Sequence, residues 1–238
     1  MGGRHLLEVK AVNKRYRKAA VLKDISFTAE PGTSICIVGQ NGSGKSTLLS
    51  IMAGCLRPDS GEVSYSGISL FGDSGKRLVG YVPQVDNLFP ELSVRDNIAF
   101  WASAAGLSLK KVRERGLPEL LGLDAFWKKK VSALSGGMRR RAAICAALLH
   151  GPALLLLDEP FTGLDLVVKE EILQSLEGLR AAGHIIVYTT HNLDEAARLS
   201  GKMIALSGGN AVEAPPWQGQ GDFREFMLNI IKGEHTNE

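Results

Sequence analysis

Eight consecutive residues, Gly39, Gln40, Asn41, Gly42, Ser43, Gly44, Lys45 and Ser46, fit the pattern G-x-x-x-x-G-K-[ST], with Thr47 next. Such a run suits a polyphosphate. Its glycines let successive N–H groups turn inward around an anion, and a helix start adds its dipole to the same hole. Lys45 would supply a point charge to the β- and γ-phosphates of a nucleoside triphosphate, Ser46 a hydroxyl to Mg²⁺ and Thr47 a contact to the α-phosphate. A phosphate loop also needs a carboxylate on the metal side. Asp158 and Glu159 stand directly after four leucines, Leu154 to Leu157, where Asp158 would hold Mg²⁺ through its water shell and Glu159 would polarise an attacking water. The competing reading of the two acids, a solvated turn, fits poorly because the leucine run has no polar alternation and so belongs to a sheet centre.

Buried strands and helix starts must position these groups. Residues 34–38 read as a short apolar strand ending at Gly39, and residues 46–54 as a helix closed by Gly54. Residues 61–67 and 77–82 read as further strands. From about Val85 to His150 the apolar period changes from two to 3.6, with Ser93 capping a helix that carries Val94, Ile98, Trp101 and Ala102. The buried-strand pattern returns at residues 153–157 and 184–189, with a helix over 166–180 between them. Strand and helix alternate as in a parallel sheet, interrupted by a helical insertion. A Gly- and Pro-bearing segment, 213–221, precedes a last amphipathic pattern with Phe223, Phe226, Met227, Ile230 and Ile231 on one face. That face would dock on its own core, a partner or membrane surface being the alternative.

The 238 residues are 45% hydrophobic and 22% charged, an ordinary globular composition. The longest apolar run, Ala142 to Leu149, has eight residues, short of the roughly 18 that a membrane span needs. Lys and Arg number 28 against 25 Asp and Glu, for a net charge of +3, which selects no partner class. Cys36, Cys55 and Cys145 are expected to be buried free thiols. The first ten residues lack a signal-peptide pattern, so a cytoplasmic location is expected. The 27 glycines exceed the average of roughly 7%.

Leu134, Ser135, Gly136 and Gly137 lie between the two phosphate-site motifs, and with them the sequence resembles the nucleotide-binding subunit of an ATP-binding cassette (ABC) transporter. Gln84, the Gly163-Leu164-Asp165 run and His191 complete an ordered set covering roughly residues 6–212. The resemblance implies an α/β fold: a P-loop NTPase core with a mainly parallel sheet, an N-terminal antiparallel β subdomain and an inserted helical subdomain. It implies one ABC ATPase domain over 1–238, with a core of about 1–84 and 151–212, a helical part of about 85–150, and a linker and helix over about 213–238. ATP and Mg²⁺ would be the ligands. Ser135, Gly136 and Gly137 would form a second anion site that meets the phosphate loop of another copy, or of a paralogous subunit, across a head-to-tail dimer.

In the same resemblance Tyr16 stacks on adenine, although it could instead pack as a strand residue. Gln84 touches Mg²⁺ and water, His191 contacts the γ-phosphate and steadies Glu159, and Asp165 lies in the loop joining the two anion sites. Two positions depart from the family pattern: Met138 stands where Gln is usual and Leu166 where Pro is common. Separate transmembrane permease subunits are implied, docking near Asp86 to Val94 with Leu88, Phe89 and Leu92 as apolar contacts, at the cytoplasmic face of a membrane. The stretch from Leu92 to Leu107 is more similar to cassettes of exporters than of importers. A non-transport cassette ATPase is a weaker alternative, and no nucleic-acid partner is expected. A GTPase or small-molecule kinase would leave Leu134 to Gly137 unexplained.

Overall fold

The computed structural model describes residues 6–17, 19–192, 195, 196, 199, 201–214, 222, 225 and 228–230. The chain opens with two long strands, β1 (Leu7–Tyr16) and β2 (Ala19–Ala29), then β3 (Ser34–Val38) and the helix α1 (Lys45–Met52). β4 (Ser60–Tyr65), β5 (Ile68–Ser69), the short helix α2 (Asp73–Lys76) and β6 (Val79–Val82) follow. The helices α3 (Val94–Ala104), α4 (Leu109–Glu114), α5 (Leu117–Leu120) and α6 (Gly136–Leu148) come next. The chain then returns to β7 (Leu154–Leu157), α7 (Leu166–Ala181), β8 (Ile185–Thr190), β9 (Lys202–Ser207) and β10 (Asn210–Ala214).

These strands form two sheets. The first has the order β2-β1-β4-β5 and is antiparallel. The second has the order β10-β9-β3-β8-β7-β6 and is parallel except at β10. β6 and β7 are parallel neighbours, and a parallel pair requires a long crossover. Helices α3 to α6 make that crossover, which is how a helical block comes to be inserted in the α/β core.

Period-two alternation on buried strands divides the interior between the faces of the second sheet. Ile35, Ile37, Leu154, Leu156, Ile185 and Val187 pack with α1 and the antiparallel sheet. Cys36, Leu155, Leu157, Ile186 and Tyr188 pack with residues of α3, α6 and α7. Both faces are covered, and this explains the unbroken apolar runs.

Two expectations shift in detail. The strand expected over 77–82 begins at Val79, because α2 and the turn bond from Leu78 N–H to the Gly75 carbonyl use up the preceding residues. Cys55 is exposed while Cys36 and Cys145 are buried. Its neighbour Gly54 leaves the helix with φ +68°, which carries the chain outward beyond α1. Of the expected C-terminal amphipathic helix, Phe223, Phe226, Met227 and Ile231 lie outside the described residues, whereas Ile230 is buried in the α3/α6/α7 core.

Within the helical block, Ser93 caps α3 by accepting the Asp96 N–H. One turn on, Asn97 is fully buried. Its Oδ1 accepts the Phe89 N–H at 2.7 Å, and its Nδ2 donates to the Phe89 and Ser93 carbonyls at 3.0 Å each. The Phe89 and Ser93 carbonyls also accept the Leu92 and Asn97 N–H groups, so the Asn97 side chain matters most as the partner of the Phe89 N–H. Asn97→Ala should lower stability by about 1–3 kcal/mol, the cost of leaving that donor and a buried side-chain site unfilled, and urea denaturation measures it.

Candidate functional site

The carboxyl ends of β3, β8, β7 and β6 lie side by side in that order. Gly39, His191, Asp158 and Gln84 follow these four strands at or within two residues of their ends. Segments far apart in sequence therefore meet along one edge, where an open α/β sheet binds its ligands.

Gly44 caps α1 with φ +103°, a conformation that a side chain would strain. Lys45 is only 5% exposed. Its Nζ donates to the carbonyls of Gly39 at 2.8 Å and Gln40 at 3.0 Å, so its charge points back into the loop. Burial pushes the Lys45 pKa down, while Glu159 and Asp158 pull it up. Ser43 carries a buried hydroxyl with no hydrogen-bond partner among the described residues. An orphaned donor inside a loop of inward-turned amides is suited to an anion's oxygen. Gln40, Asn41 and Ser46 are exposed, and Thr47 is half-buried.

Across the sheet edge, Thr189 organises the two acids. Its hydroxyl donates to Asp158 Oδ1 at 2.6 Å and accepts the Glu159 N–H at 2.9 Å. Glu159 has φ +46°, a left-handed conformation costing about 1–3 kcal/mol for a residue with a side chain. Its carboxylate is almost enclosed. Oε2 accepts from the Thr162 hydroxyl at 3.0 Å, while Oε1 lies 3.3 Å from His191 Nδ1 and 4.0 Å from Lys45 Nζ. The carboxylate is therefore fixed beside the loop that carries Lys45, with a half-exposed imidazole against it. A hydrogen-bonded carboxylate facing an anion hole can orient and polarise a water aimed at a phosphate.

Ser46, Asp158 and Gln84 carry oxygen donors, the hard chemistry that Mg²⁺ takes. Thr189 occupies one Asp158 oxygen and leaves the other for a water or an ion. Gln84 is exposed after β6, and its carbonyl accepts from Arg140. Tyr16 closes β1 with its ring 49% exposed and the Lys14 ammonium 6.0 Å from the ring centroid. The ring is open to solvent, unlike a core packing residue.

The second anion motif starts another helix. Ser135 caps α6 by accepting the Met138 N–H at 3.3 Å. Gly136 faces Leu164, and a Cβ on Gly137 would lie 2.1 Å from Val168 Cγ1. Gly137 is thus required by close approach of α7. Asp165 caps α7 by accepting the Val168 N–H at 3.0 Å. Among the described residues, Ser135, Gly136, Gly137 and Asp165 meet the segments that open α6 and α7 and not the phosphate loop.

Leu88 differs from expectation. Its N–H bonds to Asp86 Oδ1, and the side chain turns into the core at 8% exposure. Phe89 and Leu92 stay exposed, and Phe100 joins them with its ring edge-on to Phe89 at 4.8 Å. Beside this patch a cavity of about 750 Å³ opens between Tyr81 and Pro83 on the core side and Trp101, Ala143 and Ala147 on the helical side. Sequence reasoning missed Thr189, Thr162 and Arg140 as site residues. Thr189 had a signal, a polar residue in an apolar strand, whereas Arg140 sits in a run of three arginines and had none.

A family profile described as "ABC transporter" matches residues 22–162. The chain is 36% identical over 210 residues to the Nod factor export ATP-binding protein I of Rhizobium etli, covering 87% of this chain and 66% of that protein. It is 34% identical over 211 residues to the linearmycin resistance ATP-binding protein LnrL of Bacillus subtilis, covering 87% and 68%. It is 36% identical over 220 residues to the molybdate/tungstate import ATP-binding protein WtpC of Thermococcus kodakarensis, covering 89% and 65%. The chain thus spans about two thirds of the length of these relatives. Among solved structures, an ATP-binding subunit of an ABC transporter superposes with TM-score 0.79 at 30% identity, covering 96% of this chain and 94% of that one. An ATP-binding cassette in its ADP conformation gives 0.80 at 22% identity, covering 96% and 95%, a likeness of fold.

Proposed function

The chain belongs to the ABC transporter family, and from that premise we propose that it is an ATP-binding and ATP-hydrolysing subunit that drives separate transmembrane permease subunits. One observation carries the reading: Glu159, held in a left-handed conformation, has its carboxylate fixed among Thr162, His191 and Lys45 at the mouth of the phosphate loop.

In this reading the amides of residues 39–47 and the Lys45 ammonium bind the phosphates, and the free Ser43 hydroxyl adds a contact. Tyr16 stacks on adenine. Ser46, Asp158 and Gln84 would hold Mg²⁺, which would supply charge neutralisation to the phosphates. Glu159 orients the attacking water and takes up its proton, and His191 keeps the carboxylate in place and touches the γ-phosphate. Ser135, Gly136 and Gly137 present helix N-terminal amides to the γ-phosphate bound by a second copy or a paralogous subunit, with Asp165 in the loop between the two sites. ATP then joins the dimer and hydrolysis releases it. Phosphate release from Mg-ATP by the purified chain tests the assignment; no release above a buffer blank would overturn it.

Among the described residues no helix is long and apolar enough to cross a membrane. Docking on permease subunits at the cytoplasmic face would use the exposed Phe89, Leu92 and Phe100 beside the cavity. Phe89→Glu is expected to weaken co-purification with the permease about tenfold or more, as loss of a central apolar anchor does, with ATP binding unchanged. Export is favoured by the stretch from Leu92 to Leu107. One relative is named for export and another for import, so uptake is the second reading, and transport into or out of sealed vesicles separates the two.

A further inference from the structure

Arg140, on the second turn of α6, belongs to the helical block, yet its guanidinium reaches two segments of the core. Nη1 donates to the Pro83 carbonyl at 3.0 Å, and Nη2 lies 3.4 Å from the carbonyls of both Gln84 and Glu159. The planar fork of arginine can serve several carbonyls at once where the single ammonium of lysine cannot. Burial pushes the Arg140 pKa down while Asp86 and Asp158 pull it up, and an arginine stays charged throughout the neutral range. The Glu159 carbonyl accepts this bond at the residue whose φ is +46°, where the backbone needs outside support to hold its conformation.

We propose that Arg140 is a positioning residue that ties the helical block to the Glu159 backbone and to the loop bearing Gln84, so that the setting of α6 governs the aim of the Glu159 carboxylate. This rests on the ATPase reading given above. The Arg140 guanidinium acts through main-chain carbonyls, those of Pro83, Gln84 and Glu159, and not through the side-chain groups assigned to phosphate or Mg²⁺. Ser135 begins the same helix five residues earlier, so the clamp also links the second anion motif of the chain to its own hydrolytic carboxylate.

The test uses the full chain and its Arg140→Gln, Arg140→Lys, Glu159→Gln and doubly substituted forms. Arg140→Gln should lower kcat about 10- to 100-fold, the cost of misplacing a reacting group by a fraction of an ångström to an ångström, with KM for ATP within about twofold. Arg140→Lys should recover part of the loss. In the Glu159→Gln background, Arg140→Gln should add little, because both changes disable one unit. Amide hydrogen exchange should quicken at residues 84–88 and 159–164 and stay unchanged in α1, with or without turnover. Unaltered kcat, a parallel rise in KM, losses that multiply in the double variant, or unchanged exchange would each overturn the clamp. Absence of hydrolysis by the unaltered chain would instead strike the ATPase reading, and the exchange result would still decide the clamp.

Discussion

Replacing Glu159 by Gln should reduce ATP turnover by about 10²- to 10⁴-fold, the usual contribution of a positioned base, while ATP affinity stays close to that of the unaltered chain. The substitution keeps the size and the hydrogen-bonding reach of the side chain. Gln can still accept the Thr162 hydroxyl bond and face His191, but it has no carboxylate to take a proton from water. Lys45, Ser46 and the loop amides remain, so binding should survive. Single-turnover phosphate release and calorimetric titration with ATP measure the two quantities separately. A variant that keeps its turnover would remove Glu159 from the chemistry.

Lys45→Ala should weaken ATP binding by about 10- to 100-fold, the value of a charge-assisted contact to an anion that is partly shielded from water. Lys45 is nearly buried, so its ammonium is incompletely hydrated and has loop carbonyls as its partners. A phosphate chain entering the loop would exchange those weak acceptors for anionic oxygens. Alanine removes the charge and the Lys45 bonds to the Gly39 and Gln40 carbonyls, of which Gln40 keeps only the Ser43 N–H, so the empty loop also loses support. Calorimetry with Mg-ATP reads the change directly. An affinity equal to that of the unaltered chain would contradict the assignment of residues 39–47 as the phosphate site.

Much of the fold was legible because the strands that matter are fully buried on both faces. Residues 35–38 and the leucines before Asp158 carry no polar interruption, and in the structure they lie in interior strands of the sheet. Ser93 was legible as a cap because a short hydroxyl before an apolar helix has few other uses. Strand order is a different matter. Period and spacing do not reveal that β8 sits between β3 and β7, and only that placement brings Thr189 against Asp158 and His191 against Glu159. Arg140 was invisible for a related reason: its partners are main-chain carbonyls, which carry no sequence signal. Leu88 and Leu92 look alike in sequence, and the hydrogen bond from Leu88 N–H to Asp86 turns one inward while the other stays exposed.

In the proposed dimer ATP lies between the phosphate loop of one copy and the Ser135 to Gly137 amides of a partner. Light scattering after size exclusion of Glu159→Gln tests it directly, because that variant should hold ATP without consuming it. The Glu159→Gln chain should be a monomer without nucleotide and a dimer with saturating Mg-ATP, reverting to monomer when Ser135→Glu is added to place a negative charge at the second anion site. A Glu159→Gln chain that stays monomeric in saturating Mg-ATP, or that dimerises equally well with Ser135→Glu, would contradict it.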